Sequence, residues 1–471
     1  MSEVSVFDYL GKRLHLVGIG GSSMSGLAQM LAREGFLVSG SDSQDGYALE
    51  KLRALGIRVQ VGHHPEMVRG AELLIYSAAI AKADPERAEA EALGIPQMER
   101  AVLMGQLMQG YENTACVCGT HGKTTLSSML AQILLDAGKD PTVHIGGSLD
   151  RLGGGSRLGG REYFVAEACE FNRSFLHMPP TLVLMTNIEA DHLDCYRDLD
   201  DIEAAFAQFV SKLPEGGLSI GLADDPRVMR VMKGSGRAFQ SISLTGEADW
   251  TARNLRYDST GRARFDVYLR GEPAGHIELK VAGDFNALHA LHAVAGAVAL
   301  GCDTREACKS LCAFEGVHRR FEYTGTVKGM RLYHDYGHNP AEMRSAVGVA
   351  AMQGRRVIAV MQPHTYSRVK GLFQDFLTCT EKADITLVTD IFAAREIDPG
   401  DIHSGMLVEG MKKAGLEAYL TPSFQDTENW LLENGRRGDL VLTMGCGNIN
   451  LLNDLMQRHW DEEETKLEGK Q

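Results

Sequence analysis

Short apolar runs alternate with longer amphipathic patterns through the N-terminal part of the chain. The runs at 14–17, 37–40 and 73–76 are each followed by glycine or serine, and an apolar helical pattern comes after the first of them. Strands that alternate with helices at this spacing are typical of a parallel sheet with crossover helices. The pattern therefore predicts an N-terminal Rossmann-like domain over residues 1–112.

A second series of strands and helices begins after that boundary. Apolar runs at 114–118, 163–166 and 181–186 predict strands, and the glycine-rich segment 146–160 is predicted to be an exposed loop. The series is completed by a polar, strand-rich stretch and an alanine-rich helical pattern, at residues 241–280 and 286–300. We predict a central domain over residues 113–322.

The last third of the chain repeats this alternation, with polar clusters at the strand ends. The predicted strands lie at 331–334, 357–361, 385–389 and 440–444. In open α/β sheets ligands bind beyond the carboxyl ends of the strands, so these polar ends predict a ligand-facing rim. We predict a C-terminal Rossmann-like domain over residues 323–471. The fold class predicted for the chain is α/β, with three domains that each contain a mainly parallel sheet.

The clearest chemical motif follows the strand at 114–118. The sequence Gly-Thr-His-Gly-Lys-Thr-Thr joins that strand to a helical pattern, although Val117 stands where a P-loop normally has its first glycine. Backbone amides of such a turn and the helix N-terminus bind phosphate oxygens, while the lysine meets the β- and γ-phosphates. A turn with a solvated lysine is the alternative. The motif predicts an ATP site formed by Gly119, Thr120, His121, Gly122, Lys123, Thr124 and Thr125.

Metal ligands are available at two neighbouring strand ends. Glu167 closes the run at 163–166, and His192 lies in the polar segment after the run that ends at Thr186. Mg²⁺ is usually held by one or two carboxylates together with phosphate oxygens. The predicted metal residues are Thr124, Glu167 and His192, with a helix cap or a surface acid as the alternative for Glu167.

The N-terminal domain has a glycine loop of its own. Gly18-Ile-Gly20-Gly21 follows the first strand and Asp42 ends the second, as in a dinucleotide fingerprint, but Ser23 takes the place of the third glycine. Backbone amides and a helix N-terminus bind the diphosphate of many different ligands. Asp42 could instead form a turn with its serine neighbours. The fingerprint alone therefore leaves the ligand open.

Composition limits the class of partner. The net charge is −14, whereas nucleic-acid binding needs a basic face. No apolar run reaches the ~18 residues of a membrane helix, and charged residues interrupt the N-terminus at Asp8 and Lys12. Nine mostly isolated cysteines are typical of reduced thiols in the cytosol. We expect a cytoplasmic protein that binds small molecules and neither nucleic acid nor a membrane.

Several motifs occur in an order that points to a family. They lie at residues 119–125, 187–194, 316–322, 335–340 and 444–449. With this set the chain resembles the Mur ligases, the ATP-dependent enzymes that add amino acids to the peptidoglycan precursor. Within the family, residues 18–26, 76–80 and 362–368 are similar to the branch that joins L-alanine to UDP-N-acetylmuramate.

The resemblance implies a UDP-sugar domain, a central ATPase domain and a C-terminal domain on the amino-acid side. It implies ATP and Mg²⁺ as cofactors, and UDP-N-acetylmuramate and L-alanine as substrates. ATP would convert the muramoyl carboxylate to an acyl phosphate, and the amine of alanine would then displace phosphate. In such a reaction Lys123 and Mg²⁺ would neutralise the charge that gathers on the phosphates.

The resemblance also implies roles for individual residues. The UDP-sugar would contact Gly20, Gly21, Ser22, Asp42, His63 and Ser77, with a helix-entry loop as the alternative for His63. Besides the P-loop, ATP would contact Asn286, Arg320 and Asp335. The amino-acid side would be formed by Tyr336, His338, His364 and Arg368. The residues implied in catalysis are Lys123, Glu167, His192, His338 and Arg368.

Three residues depart from the family pattern, namely Cys169, His334 and Thr365. Two alternatives to the alanine-adding reaction stay open. One is a ligase that attaches a preformed tripeptide to the same UDP-sugar. The other is a nucleotide-binding protein without ligase activity, or a dehydrogenase-like oxidoreductase. Both a monomer and a homodimer are compatible with the sequence.

Overall fold

The computed structural model describes residues 4–78, 80–191, 195–394 and 396–468, with side chains up to Asp461. The chain falls into two compact units. The first unit comprises residues 1–255, 264–279 and 285–314, and the second comprises residues 256–263, 280–284 and 315–471. The domain bounds 1–112, 113–322 and 323–471 stay predictions.

The first sheet is parallel and has the strand order β3-β2-β1-β4-β5. Its strands are β1 (Arg13–Val17), β2 (Leu37–Asp42), β3 (Arg58–Val61), β4 (Leu73–Tyr76) and β5 (Gln97–Glu99). The helices between and after them are α1 (Ser22–Arg33), α2 (Tyr47–Ala54), α3 (Pro65–Val68), α4 (Pro85–Ala92) and α5 (Arg100–Met108). Helix α1 buries Met24, Leu27 and Leu31, which recur at the spacing of one helix face.

The second sheet has the order β15-β14-β13-β12-β11-β10-β6-β9-β7-β8. Its strands are β6 (Asn113–Cys118), β7 (Thr142–Leu149), β8 (Gly154–Arg157), β9 (Tyr163–Glu167), β10 (Leu182–Met185), β11 (Leu218–Leu222), β12 (Ala238–Ser243), β13 (Trp250–Tyr257), β14 (Arg262–Leu269) and β15 (Glu272–Ala282). Its helices are α6 (Lys123–Asp136), α7 (Leu199–Ser211), α8 (Pro226–Gly234), α9 (Asp284–Ala299) and α10 (Thr304–Leu311). Strands β9, β6, β10, β11 and β12 run parallel, so the P-loop strand β6 lies between two parallel neighbours.

The prediction of an exposed loop over residues 146–160 is wrong. Strand β7 continues to Leu149 and pairs antiparallel with β8, while its first half pairs parallel with β9. The glycines serve this pairing, because a Cβ on Gly155 would lie 2.8 Å from the carbonyl oxygen of Ile145. Glycine content is a local signal for a loop, but the neighbouring strand gives this backbone its hydrogen-bond partners.

The third sheet has the order β16-β17-β21-β18-β19-β20. Its strands are β16 (Glu322–Val327), β17 (Met330–Asp335), β18 (Val357–Met361), β19 (Ile385–Val388), β20 (Ala418–Leu420) and β21 (Leu440–Met444). Its helices are α11 (Pro340–Ala351), α12 (Tyr366–Gly371), α13 (Phe373–Phe376), α14 (Ser404–Lys413), α15 (Phe424–Asn434) and α16 (Asn450–Glu468). Only the β16–β17 pairing is antiparallel within this sheet. The predicted α/β class with three mainly parallel sheets is confirmed.

The hydrophobic cores follow the sheets. One cluster of buried side chains extends from the first sheet and its helices, with Leu16 on β1 and Leu27 on α1, to the second sheet and its helices, with Phe164 on β9 and Phe206 on α7. The third sheet is buried on both faces by separate clusters. Among the helices of the described residues, we find none with the length and apolar character that crossing a bilayer requires.

Candidate active site

The P-loop requires its two glycines at the positions where the chain turns. Gly119 and Gly122 have φ angles of 127° and 83°, which favour glycine. A Cβ on Gly119 would lie 2.0 Å from Oγ1 of Thr186, and a Cβ on Gly122 would lie 2.1 Å from Nε2 of His289. Both the backbone conformation and the close neighbours therefore exclude larger side chains here.

Lys123 is the first residue of α6 and its side chain lies across the mouth of the loop. Its Nζ donates to the carbonyl oxygens of Gly119 at 2.6 Å and Thr120 at 3.0 Å, and to Oε2 of Glu170 at 2.9 Å. Burial by itself would lower the pKa of Lys123, but the carboxylate of Glu170 outweighs burial and raises it. The loop therefore presents a charged ammonium group beside the N-terminus of a helix, where phosphates bind.

Glu170 is a site residue that was not among the residues predicted to contact substrate or metal. Its side chain is buried and pairs with Lys123, while its backbone carbonyl accepts a hydrogen bond from the hydroxyl of Tyr196 at 2.5 Å. Its place three residues after Glu167 is the signal in the sequence, because Glu167 ends β9 and Glu170 follows shortly after it. The structure thus assigns the first contact with the lysine to Glu170 and not to the predicted metal residue.

Glu167 and Thr124 meet beside the loop. Oγ1 of Thr124 donates to Oε2 of Glu167 at 3.1 Å, and the amide of Gly146 donates to Oε1 at 2.7 Å. Hydroxyl and carboxylate oxygens are the ligands that Mg²⁺ prefers, so the donor set fits this metal. His192 lies outside the described residues. Within the described part of the chain, no three His, Cys, Asp or Glu side chains converge as a metal cluster.

Residues 186–189, which follow β10, hold the P-loop in place through hydrogen bonds. Thr186 donates to the carbonyl of His121 at 2.6 Å, and Oδ1 of Asn187 accepts the amide of His121 at 2.9 Å. The amide of Glu189 donates to the hydroxyl of Thr120 at 2.9 Å. Thr120 and His121, which the sequence predicts to contact ATP, therefore also hold the P-loop against the segment that follows β10.

Helix α9 passes beside the loop. Asn286 and His289 are both buried, and His289 lies against Gly122. Residues three apart on a helix share a face, so Asn286 lies on the side of α9 that faces the P-loop. The predicted ATP residues Arg320 and Asp335 belong to the second compact unit.

The predicted UDP-sugar residues come from one edge of the first sheet. Gly20, Asp42, His63 and Ser77 follow or end β1, β2, β3 and β4, whose carboxyl ends meet at that edge. Oδ2 of Asp42 accepts the amide of Gly20 at 2.9 Å, so this carboxylate fastens the glycine loop. Ser22 is exposed at the start of α1, directly after the N-cap Gly21.

His63 lies on the same edge and pairs with an acid. Its Nδ1 is 3.1 Å from Oδ2 of Asp84, and the other carboxylate oxygen of Asp84 caps helix α4. The ring is half-exposed. This pairing places the imidazole at the rim of the edge, where it can reach a bound ligand.

A buried polar network supports this edge. Glu86 and His15 are fully buried, and Nε2 of His15 lies 3.0 Å from Oε2 of Glu86. The same carboxylate accepts the hydroxyl of Ser41 at 2.6 Å and the amide of His64 at 2.7 Å. Burial by itself would raise the pKa of Glu86, but the hydrogen bonds from His15, His64 and Ser41 outweigh burial and lower it.

The variant Glu86→Gln is expected to have a Tm that depends less on pH in the acid range than the Tm of wild type. Because the pKa of Glu86 is lower in the folded than in the unfolded chain, its contribution is complete above the ordinary value of 4.5 and is lost as the pH falls through the folded pKa. The difference in Tm between wild type and variant should be largest near about pH 7 and shrink below about pH 4. Glu91→Gln, on an exposed position of the same helix, is the control. A pH-independent difference in Tm would contradict an ionised Glu86 carboxylate in the folded protein.

In the second unit, two predicted residues lie at the end of β17. The carboxylate of Asp335 is buried and accepts the amides of Phe321 at 2.9 Å and Gly337 at 2.7 Å, and burial raises its pKa. The ring of Tyr336 faces the guanidinium of Arg320 at 5.2 Å and that of Arg319 at 4.8 Å. Arg320 and Tyr336 are thus neighbours.

The remaining amino-acid-side residues cluster across the ends of β17 and β18. The rings of His338 and His364 lie 5.8 Å apart, and Nη1 of Arg368 donates to Nδ1 of His364 at 3.0 Å. His364 also stacks on Phe392 at 5.7 Å. The structure therefore brings Tyr336, His338 and His364 to one rim, as the strand-end rule predicted, and Arg368 joins them from α12.

The departures from the family pattern have distinct surroundings. Nε2 of His334 accepts from Nε of Arg319 at 3.2 Å, and burial together with Arg319 lowers the pKa of His334 to about 3. His334 is therefore a neutral acceptor.

Burial raises the pKa of the Cys169 thiol, so it is a poor metal ligand. Thr365 has a φ of 61° and its amide donates to the carbonyl of Phe392 at 2.9 Å.

Comparison with known families gives matches over most of the chain. Residues 13–112 match the Mur ligase family catalytic domain, 117–297 the Mur ligase middle domain, and 319–447 the Mur ligase glutamate ligase domain. The chain is 42% identical over 439 residues to the UDP-N-acetylmuramate–L-alanine ligase of Caldanaerobacter subterraneus subsp. tengcongensis, which covers 93% of this chain and 95% of the relative. It is 41% identical over 453 residues to the enzyme of the same name from Acetivibrio thermocellus, with coverage of 95% and 96%.

Solved structures give the same picture at lower identity. The crystal structure of UDP-N-acetylmuramate-alanine ligase MurC from Thermotoga maritima superposes with a TM-score of 0.81 at 25% identity, over 96% of this chain and 100% of that one. A murein peptide ligase from Psychrobacter arcticus has a TM-score of 0.72 at 24% identity, over 95% and 98%. MurF from Thermotoga maritima in complex with ADP has a TM-score of 0.61 at 14% identity, over 90% and 95%, which is a likeness of fold.

Proposed function

The chain belongs to the Mur ligase family, and on that premise we propose that it joins L-alanine to the muramoyl carboxylate of UDP-N-acetylmuramate while ATP is converted to ADP and phosphate. The family resemblance read from the motifs is confirmed. The observation that carries the proposal is the identity of 42% and 41%, over nearly the whole chain, to two ligases of that specificity. The P-loop with Lys123 beside Thr124 and Glu167 supports the ATP-dependent part.

The chemistry needs activation because a carboxylate is a poor electrophile. Transfer of the γ-phosphoryl group to a carboxylate oxygen gives an acyl phosphate and ADP. The amine of alanine then adds to the carbonyl carbon, loses a proton, and the C–O bond to phosphate breaks as the amide forms. The first step brings anionic oxygens together, so neutralisation of charge is the main task of the protein.

On this proposal Lys123 binds the γ-phosphate from its position at the start of α6. A phosphate would displace the loop carbonyls from the ammonium group, while Glu170 keeps the lysine charged. Thr124, Glu167 and the predicted His192 would hold Mg²⁺, which when bound neutralises phosphate charge. Asn286 would contact the adenine, and Arg320 and Asp335 the phosphates and ribose.

The UDP-sugar would bind at the carboxyl edge of the first sheet, and alanine at the carboxyl edge of the third. Gly20, Gly21 and Ser22 would bind the UDP diphosphate at the N-terminus of α1, with Asp42, His63 and Ser77 around the nucleotide. Arg368 would pair with the carboxylate of alanine, since a guanidinium binds a carboxylate through two parallel hydrogen bonds. Tyr336, His338 and His364 would surround that amino acid.

The purified protein is expected to release phosphate from ATP only when UDP-N-acetylmuramate and L-alanine are both present. The measurement is phosphate release with each substrate omitted in turn, together with mass detection of the UDP-sugar product. A chelator should stop the reaction and added Mg²⁺ should restore it. Turnover with a tripeptide but not with alanine would assign the chain to the recycling reaction. Release that does not depend on the UDP-sugar would contradict the ligase proposal.

A further inference from the structure

We propose that Ser23, Arg100 and His144 form a positioning network that fixes the UDP-sugar loop against the metal-side edge of the P-loop. Ser23 is the second residue of α1, Arg100 the first of α5, and His144 lies on β7. All three belong to the first compact unit. The inference rests on the proposed function, because it concerns the distance between the two substrates of that reaction.

The network joins the first sheet's helices to the second sheet through one hydroxyl group. Oγ of Ser23 lies 2.8 Å from Nε2 of His144, and Nη1 of Arg100 donates to the same oxygen at 3.0 Å. His144 is 5% exposed. Hydrogen bonds shielded from water in this way give a defined separation between the elements that they connect.

The hydroxyl of Ser23 can satisfy both partners at once. A guanidinium only donates, so the Ser23 oxygen accepts from Arg100. Either the hydroxyl proton or the second lone pair of the same oxygen then meets Nε2 of His144, whichever ring nitrogen carries the proton. Burial lowers the pKa of His144 to about 3, and the charge of Arg100 acts in the same direction. The imidazole is therefore neutral, and because its Nδ1 is buried without a hydrogen-bond partner among the described residues, Ser23 is the polar contact that holds the ring.

This assignment separates the roles of two adjacent serines. The hydroxyl of Ser23 is committed to Arg100 and His144, whereas Ser22 is exposed at the helix N-terminus where a diphosphate would bind. In a dinucleotide fingerprint the third glycine, whose place Ser23 takes, allows close packing of helix and strand. Here the residue that breaks the fingerprint supplies a hydrogen bond to the neighbouring sheet instead.

Helix α1 also packs on the β7–β8 hairpin one turn further along. A Cβ on Gly26 would lie 2.6 Å from Oγ of Ser156 and 3.1 Å from Nδ1 of His144. Such distances leave no space for a larger side chain. The close contact at Gly26 and the hydrogen bonds at Ser23 therefore fix both the height and the rotation of α1 on the hairpin.

The hairpin leads directly to the P-loop. In the pairing of β7 with β9, His144 lies opposite Ala166, the residue before Glu167. Two residues after His144, the amide of Gly146 donates to Oε1 of Glu167 at 2.7 Å, and Oε2 of Glu167 accepts from Thr124. One short strand segment thus connects the loop proposed for UDP-sugar binding to the carboxylate proposed for the metal.

Such a connection matters because phosphoryl transfer depends on distance. The muramoyl carboxylate would be carried by a ligand on the first sheet and the γ-phosphate by a ligand on the second. A misplacement of about 1 Å between reacting groups can lower the rate by ~10²-fold. The network would therefore act on kcat, with little effect on the binding of either substrate alone.

His144→Phe and Ser23→Ala are expected to lower kcat by ~10- to 100-fold, because each removes the hydrogen bond and leaves the substrate contacts intact. The dissociation constants of UDP-N-acetylmuramate and of ATP, each titrated alone by calorimetry, should change by less than ~3-fold. His144→Gln, whose amide can donate to or accept from the Ser23 hydroxyl, should recover kcat to within ~5-fold of wild type. The double variant Ser23→Ala/His144→Phe should lose little more than Ser23→Ala alone, since Ser23→Ala already removes the hydrogen bond to His144.

His292→Phe is the matched control. His292 is also buried and neutral, with a pKa lowered to about 4 by burial, and it bonds to the carbonyl of Ile220 in the same unit. If His144→Phe lowers kcat no more than this control does, the proposal is overturned. A fall in UDP-sugar affinity equal to the loss of kcat/KM would also overturn it. Should His144→Phe fail to fold, Ser23→Ala and His144→Gln decide the question. Absence of turnover in the wild type would instead reject the proposed function and this inference with it.

Discussion

Lys123→Ala is expected to lower kcat by ~10³-fold or more, while the affinity for UDP-N-acetylmuramate changes by less than ~3-fold. The ammonium group is the cation that the P-loop presents at the start of α6, and removing it leaves the transferred phosphoryl group without its nearest positive charge. The UDP-sugar would bind at the other sheet of the same unit, away from this side chain. Phosphate release under saturating substrates and calorimetric titration of the UDP-sugar measure the two quantities.

Lys123 also neutralises the buried carboxylate of Glu170, so the effect of Lys123→Ala on stability must be measured separately from its effect on kcat. Lys123→Ala leaves the buried Glu170 carboxylate without its ion partner, which destabilises proteins by about 3–5 kcal/mol. Lys123→Ala/Glu170→Gln removes that unpaired charge and should regain much of the lost Tm while remaining inactive. Lys233→Ala, on an exposed position of α8 in the same unit, should keep both Tm and kcat near wild type. Recovery of turnover in the double variant would refute the role given to Lys123.

Glu167→Gln is expected to lower kcat by ~10²- to 10³-fold and to raise the Mg²⁺ concentration needed for half-maximal activity. The substitution keeps the size of the side chain and one oxygen for the amide of Gly146. It replaces the other oxygen, which accepts from Thr124, with an amide nitrogen that cannot bind a metal. Initial rates across a Mg²⁺ titration distinguish a weaker metal site from a general loss of structure.

The control for this variant lies at the other end of the same strand. Glu162 immediately precedes β9 and is exposed, so Glu162→Gln removes the same charge from the protein without touching the site. Its activity and Mg²⁺ dependence should equal those of wild type. Should Glu167→Gln show an unchanged Mg²⁺ dependence, Glu167 would not be a metal residue and its hydrogen bonds to Thr124 and Gly146 would be purely structural.

Much of the candidate site could be predicted from the sequence because parallel strands share an edge. Lys123 follows β6 and Glu167 ends β9, and the adjacency of these strands brings them to one place. The same rule predicted the rim of Tyr336, His338 and His364 in the third sheet, whereas Arg368 was implied by the family resemblance. The rule predicts which residues lie at the same edge of a sheet, but it does not predict which of their side chains contact each other. That Lys123 would first meet Glu170 depends on how the turn after β9 folds back, and no local pattern encodes that turn.

The sequence by itself determined the class of fold, the P-loop and the family, because these depend on short-range features such as the period of apolar residues, glycines at positive φ and the order of motifs. Long-range packing accounts for the hairpin at residues 142–157 and for the contact of Ser23 with His144, which lies 121 positions further along the chain. Both outcomes depend on partners distant in the chain, which supply hydrogen bonds to groups that otherwise look like a loop and a failed fingerprint. The physical reason is that a sequence pattern records what each segment can bury or turn, whereas pairing depends on which other segment arrives beside it.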